Sequence, residues 1–218
     1  DEWLDDITSR MADVSDAGPL AANLVVHPSN DRLEDDLALV AKYKVPLVIT
    51  ALGSPRKIVD RVHAYGGAVF ADVNSVRFAR KAAEAGVDGL VLVAAGAGGH
   101  TGNMTGFSFV PAVREFFDGT IVLGGGIGDG RAIRAAEVLG ADLAYMGTRF
   151  IATNESLAHT DYRQMLVDST VDDLILTNAV TGVHANWLRQ SLISAGMDPN
   201  ALEKDPDVDF TDPQSGMK

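Results

Sequence analysis

The chain has no cysteine among its 218 residues. That excludes disulfides, thiolate nucleophiles, iron–sulfur clusters and cysteine-ligated zinc. Histidine is sparse too: His27, His63, His100, His159 and His184 stand too far apart to form a histidine pair at ligand spacing, and no metal is expected. Positive charge is scarce, with 18 Lys and Arg against 30 Asp and Glu for a net charge of −12. Such a field repels nucleic-acid phosphates and anionic lipid, so neither is an expected partner. It does not forbid a small anionic ligand, because backbone N–H groups and a local arginine can still hold one. No apolar run approaches the roughly 20 residues that would span a bilayer. The opening Asp1-Glu2-Trp3-Leu4-Asp5-Asp6 is acidic where a secretory signal would be basic, so a cytoplasmic protein is expected.

What is present is alternation. Short apolar runs at 20–25, 46–50, 68–73, 89–94, 120–123 and 143–146 are separated by charged, amphipathic stretches. Helices are predicted over 2–15, 31–43, 55–64, 75–85, 108–117 and 129–139, with Ser54 as a cap before Pro55. The strands are apolar on both faces, as parallel strands buried beneath helices should be. Their starts lie about 20–30 residues apart, which suits right-handed βαβ crossovers. Periodicity alone leaves an open doubly wound sheet and a closed barrel both standing. The polar and glycine-rich positions favour a barrel, since they fall just after several different strands and not at one switch point. The expected fold is therefore α/β, a (β/α)₈ TIM-type barrel with about six βα units in this chain. Closure needs two more strands, and the chain is expected to be a piece lacking the first two units. The expected division is a partial barrel over 1–153 and a helical extension over 154–218 packed on it.

Three segments could carry chemistry. In Ala95-Gly96-Ala97-Gly98-Gly99-His100, five small residues precede one imidazole at a strand end. Small residues let backbone approach a flat ring, and a histidine there can act as general base. Gly124-Gly125-Gly126-Ile127-Gly128 runs from a strand into a helix, and its N–H groups suit a phosphate. Gly147-Thr148-Arg149 follows the next strand, so the two loops together are expected to form a phosphate cup. Asn23, polar at the end of an apolar strand, either bonds a ligand or caps its own loop. Asp72 and Asn74 are expected to orient local backbone. No dinucleotide fingerprint is present.

These segments, with Met146-Gly147-Thr148-Arg149-Phe150 and Thr181-Gly182-Val183-His184, resemble the nitronate monooxygenases, also called 2-nitropropane dioxygenases. The resemblance runs over about 20–218, and its Gly-Gly-His element is shared with flavin-dependent enoyl-ACP reductases. It implies non-covalent FMN and oxidation of alkyl nitronates by O₂ to a carbonyl compound and nitrite. It also implies that His100 faces flavin and substrate with Gly98 and Gly99 beside it, and that Asn23 lies near the isoalloxazine. Gly124, Gly125, Gly126, Gly147 and Thr148 are then the phosphate ligands. The partners are a small-molecule substrate and O₂, and a homodimer is compatible with this reading. Two alternatives stay open: a flavin-dependent NAD(P)H reductase of the enoyl-ACP or quinone type, and a non-catalytic phosphate- or nucleotide-binding barrel.

Overall fold

The computed structural model describes residues 2–202. After α1 (Glu2–Ala12), strands and helices alternate: β1 (Ala21–Val25), α2 (Leu33–Lys42), β2 (Leu47–Ala51), α3 (Arg56–His63), β3 (Ala68–Val73), α4 (Val76–Glu84) and β4 (Gly89–Val93). Next come β5 (Gly99–His100), α5 (Gly106–Arg114), β6 (Thr120–Gly124), α6 (Gly130–Leu139), β7 (Leu143–Tyr145) and the short α7 (Thr148–Ile151). The described chain closes with α8 (Thr160–Asp168), a 3₁₀ turn (Val171–Asp173), β8 (Leu174–Thr177), β9 (Ala185–Leu188) and α9 (Arg189–Ser194). Six strands make a parallel sheet in the order β1-β2-β3-β4-β6-β7, with β1 and β7 at its edges, so the barrel is not closed. A second sheet runs β5-β9-β8.

Two compact units result. Among the described residues, one holds 2–73 and 77–91; the other holds 74–76 and 92–202. This differs from the expected boundary at 153. Residues 154–202, expected to be helical, contain α8 and α9 but also the antiparallel pair β8 and β9. The last part of that expected extension, 203–218, lies outside the described residues.

In the first unit, β1, β2 and β3 pair in parallel. Leu24, Thr50 and Ala71 fall in register, and all three are buried. The next positions turn the other way: Asn23 pairs with Ile49 and Ile49 with Phe70. Alternation then puts Asp72 on that same face, two residues beyond Phe70. On α3, Ile58, Val59 and Val62 lie on one helical face and are buried. At its start the Arg56 N–H donates to the Ser54 hydroxyl at 3.5 Å, and Pro55 already has helical backbone angles.

Each unit repeats one device. The segments Gly86-Val87-Asp88 and Gly140-Ala141-Asp142 end a helix on a glycine of positive φ, +88° and +103°, just before a strand. The aspartate then accepts a bond from the backbone of the preceding strand, Val69 N–H to Asp88 at 2.7 Å and Ile121 N–H to Asp142 at 2.7 Å. His63 lies 2.8 Å from Asp88, and Arg114 pairs with Asp142 while also donating to the carbonyls of Gly119 and Gly140. The Ile121 N–H, and after it Arg114, hold the Asp142 carboxyl below its ordinary value of 3.8. We expect Asp142→Ala to cost about 1–2 kcal/mol, toward the low end for an unpaired buried donor because Asp142 itself is exposed. A depressed folded pKa means this contribution is present above pH 3.8 and lost as pH falls below it. Melting curves of wild type and variant should therefore converge in acid; a constant gap down to strong acid would remove the carboxylate from the account.

Candidate active site

The second unit gathers most of the expected residues. Strand β4 delivers Ala94, whose N–H donates to Gly124 O at 2.8 Å, tying the start of the small-residue loop to the end of β6. The loop then crosses the glycine turn: Gly126 N–H donates to Gly96 O at 2.9 Å. Two glycines make these approaches possible. At Gly125 (φ +129°) a Cβ would stand 2.8 Å from Ala94 O and 3.0 Å from Ala95 O. At Gly98 it would fall 2.3 Å from Thr148 Oγ1, so the Gly98 loop and the start of α7 meet directly.

His100 is anchored from an element that is distant in sequence. Gly99 and His100 form β5 and pair antiparallel with Asn186 and Ala185 of β9. Asn186 Nδ2 donates to Ala97 O at 2.8 Å, and Thr101 N–H donates to His184 O at 3.0 Å. Thr101 is buried, and its hydroxyl donates to Ala94 O at 3.0 Å. The backbone on both sides of His100 is thus pinned, while its imidazole is exposed. Nε2 of that ring lies 3.3 Å from Thr181 Oγ1, and the Thr181 hydroxyl also lies 3.2 Å from Val183 O. When Thr181 gives its one proton to Val183 O, Nε2 must be the N–H and Nδ1 keeps a free lone pair. The exposed ring of His184 has no such arrangement among the described residues; its contribution is the carbonyl.

The glycine turn can hold an anion, although not at the helix end that the sequence suggested. Asp129 caps α6 itself: its carboxylate accepts from Arg131 N–H and Ala132 N–H, both at 3.0 Å. Those bonds, Ala132 first, then the Arg131 side chain, hold its pKa down. A phosphate would be repelled there. The N–H groups of Gly125, Ile127 and Gly128, just upstream, have no partner among the described residues, and no Cβ position at Gly126, Gly128 or Gly147 meets another atom within 4 Å. Open donors beside backbone packed too closely for any side chain fit a phosphate joined to a flat ring. Gly124 ends β6, and Gly147 and Thr148 open α7.

Asn23 is in the first unit, exposed on β1, and its side chain bonds the carboxyl of Asp72. Asp72 is not the local backbone bracket its sequence position suggested. Burial pushes its pKa up to about 6, only partly opposed by the Asn23 bond, and its buried Oδ1 has no partner among the described residues. The roles of Thr181, Thr101 and Asn186 also went unseen in the sequence. The apolar run Leu174-Ile175-Leu176-Thr177 was the available signal for the small sheet that brings them in. Among the described residues no cluster of His, Asp or Glu could hold a metal ion, and no helix is long and apolar enough to cross a membrane.

A probable nitronate monooxygenase of Staphylococcus aureus is 30% identical over 165 residues, 71% of this chain and 46% of that protein. A Mycobacterium tuberculosis protein named (3aS,4S,5R,7aS)-5-hydroxy-7a-methyl-1-oxo-octahydro-1H-indene-4-carboxyl-CoA dehydrogenase is 29% identical over 185 residues, 84% of this chain and 48% of its own. The chain spans about half the length of the curated relatives it matches. Among solved structures, nitroalkane oxidase from Streptomyces ansochromogenes superimposes with a TM-score of 0.79 at 26% identity, covering 95% of this chain and 71% of that one. FabK from Thermotoga maritima gives 0.74 at 28% identity, covering 98% and 75%. A family model for nitronate monooxygenase matches residues 8–204, which takes in both units and every loop described above; the chain belongs to the nitronate monooxygenase family.

Proposed function

We propose that the protein of which this chain is part oxidises alkyl nitronates with O₂ to a carbonyl compound and nitrite, using FMN. The observation that carries this reading is His100: an exposed imidazole on pinned backbone, at the end of a loop drawn against Gly125, Gly126 and Thr148. Gly124, Gly125, Gly126, Gly147 and Thr148 hold the phosphate, with the open N–H groups of the turn as donors and Gly126 serving shape, since its own N–H is taken. Gly98 and Gly99 leave room for the ring. The chemistry supplied by bound FMN is acceptance of electrons from the substrate and their delivery to O₂. His100 Nδ1 takes the proton on the carbon beside the nitro group of a neutral nitroalkane, and the resulting imidazolium faces the nitronate charge. Thr181 holds the ring in the tautomer that leaves Nδ1 free.

A second reading has its own support. The CoA-thioester name of the Mycobacterium tuberculosis relative and the likeness to FabK favour a flavin-dependent reductase acting on a thioester. One experiment separates the two. Purified protein is examined for the visible absorption of flavin, then mixed without oxygen with ethyl nitronate and, separately, with NADH. Bleaching by nitronate alone is expected. Bleaching by NADH alone would favour the reductase, extraction of a flavin carrying adenosine would exclude FMN, and failure to bind flavin would leave the phosphate-binding barrel.

A further inference from the structure

The outer layer of the first unit divides its charge in two. Neighbouring parallel strands joined by right-handed crossovers place α2, α3 and α4 side by side on one face of the sheet. Tyr43, at the end of α2, donates to Asp5 of α1 at 2.6 Å, so α1 lies against α2. Along this layer α1 and α2 carry six carboxylates against two Lys or Arg, whereas α3 and α4 carry six Lys or Arg against two carboxylates. One ion pair marks the boundary, Arg61 of α3 to Glu34 of α2 at 2.5 Å.

The fold itself explains the acidic half. Glu2, Asp5, Glu34, Asp35 and Asp36 stand in first turns, where the positive end of the helix dipole favours them. It does not explain the basic half. Arg56 and Lys57 occupy the first turn of α3 and Arg77 that of α4, the end where the dipole opposes a cation. Arg56, Lys57 and Lys81 are exposed, and their side chains make no hydrogen bond or ion pair among the described residues. In a chain with only 18 basic residues, six on two short helices, against the local preference, point to an acidic partner.

The same layer supplies one. A copy turned over about a two-fold axis parallel to the helices sets acid on base in both halves, α1 and α2 of each copy facing α4 and α3 of the other. We propose that the face formed by α1, α2, α3 and α4 is a self-complementary docking surface for a second copy of this chain. Its rim adds aromatic contact. Trp3 on α1 is 77% exposed, Phe78 on α4 is 43% exposed, and Arg77 lies over the Phe78 ring, 4.9 Å from its centre. The two-fold brings Trp3 of one copy to that cation and ring on the other. Four helices of 8–11 residues, about 10 Å apart, span roughly 500–600 Å². Stable complexes bury about 800 Å² per partner, so this dimer is a weak one, with Kd near ~10⁻⁴ M, and charge holds much of it.

Sedimentation equilibrium of the 218-residue chain tests this. At about 0.02 M salt a monomer–dimer equilibrium is expected, with Kd at least about tenfold weaker at about 0.5 M. A basic-face variant (Arg56→Glu, Lys57→Glu, Lys81→Glu) and an acidic-face variant (Glu2→Lys, Asp35→Lys) should each be monomeric at low salt, because like charges then meet. Mixed in equal amounts they should dimerise again, one copy being acidic across the layer and the other basic. The basic-face variant should melt no lower than wild type, since its new carboxylates suit the first turn of α3. Dimers that persist undiminished at high salt or in either variant alone overturn the proposal. So does a mixture that stays monomeric, or association of wild type that runs past the dimer. Monomeric wild type at low salt also overturns it, and leaves the basic face to an acidic partner of another sequence.

Discussion

His100→Ala is expected to slow oxidation of a neutral nitroalkane by about 10²–10⁴-fold, the usual worth of a positioned general base. The fold should survive, because β5 is held through its backbone and the imidazole is exposed. Flavin binding should survive too, since the proposed phosphate donors lie on other loops. The informative comparison is between two forms of one substrate. A nitroalkane must lose its α-proton before oxidation, whereas a preformed nitronate has already lost it. If His100 acts as base, the variant should lose far more with the nitroalkane, and measuring kcat/KM for both forms above pH 7 reads the difference. Comparable losses would assign His100 to stabilising the nitronate charge. Wild-type rates with both would remove it from the mechanism.

Gly125→Ala should be strongly damaging, at about 2–4 kcal/mol of stability. Two costs add. A φ of +129° lies outside what an L side chain readily adopts, and the new Cβ would press on two backbone oxygens that cannot rotate away. Relief requires the Ala94–Ala95 backbone to move, and with it the loop that ends in His100. Gly126→Ala is the control. Its φ of +69° is left-handed but its Cβ meets nothing within 4 Å, so only the backbone term applies, about 1–2 kcal/mol. Thermal midpoints and flavin affinity of the two variants should separate accordingly. Equal, small effects would mean that the close approach of these loops does not matter.

The alternation of strand and helix could be read from the chain because parallel strands covered on both sides leave continuous apolar runs: Leu90, Val91 and Leu92 are all buried. The glycine turn was legible for a related reason, since only glycine permits Gly125, at φ +129°, to approach the Ala94 and Ala95 carbonyls. The small sheet was not legible. Its strands are two to four residues long, below the length at which a period can be recognised, and its partners are far apart in the chain. The helix over Gly106–Arg114 began earlier than predicted and runs through Pro111, where a sequence pattern invites a break. Asp72 shows another limit. Aspartate near a strand end usually braces its own loop, as residue type and position suggested, and only the surrounding atoms reveal an oxygen without a donor among the described residues.

The bond from Asn186 to Ala97 spans 89 residues. On the ribosome, the loop before His100 therefore emerges long before the strand that fixes it. At roughly 5–20 residues per second, about 4–18 s pass before Asn186 is made. Through that interval β4, α5 and β6 can assemble from neighbouring segments, while Gly99 and His100 have no strand to pair with. A nascent chain stopped before Ala185 would hold the glycine turn but not the histidine in register. The order of synthesis thus sets an order of maturation, with the proposed phosphate loop formed first and the proposed base last, so that a truncated translation product would keep the glycine turn without an oriented imidazole.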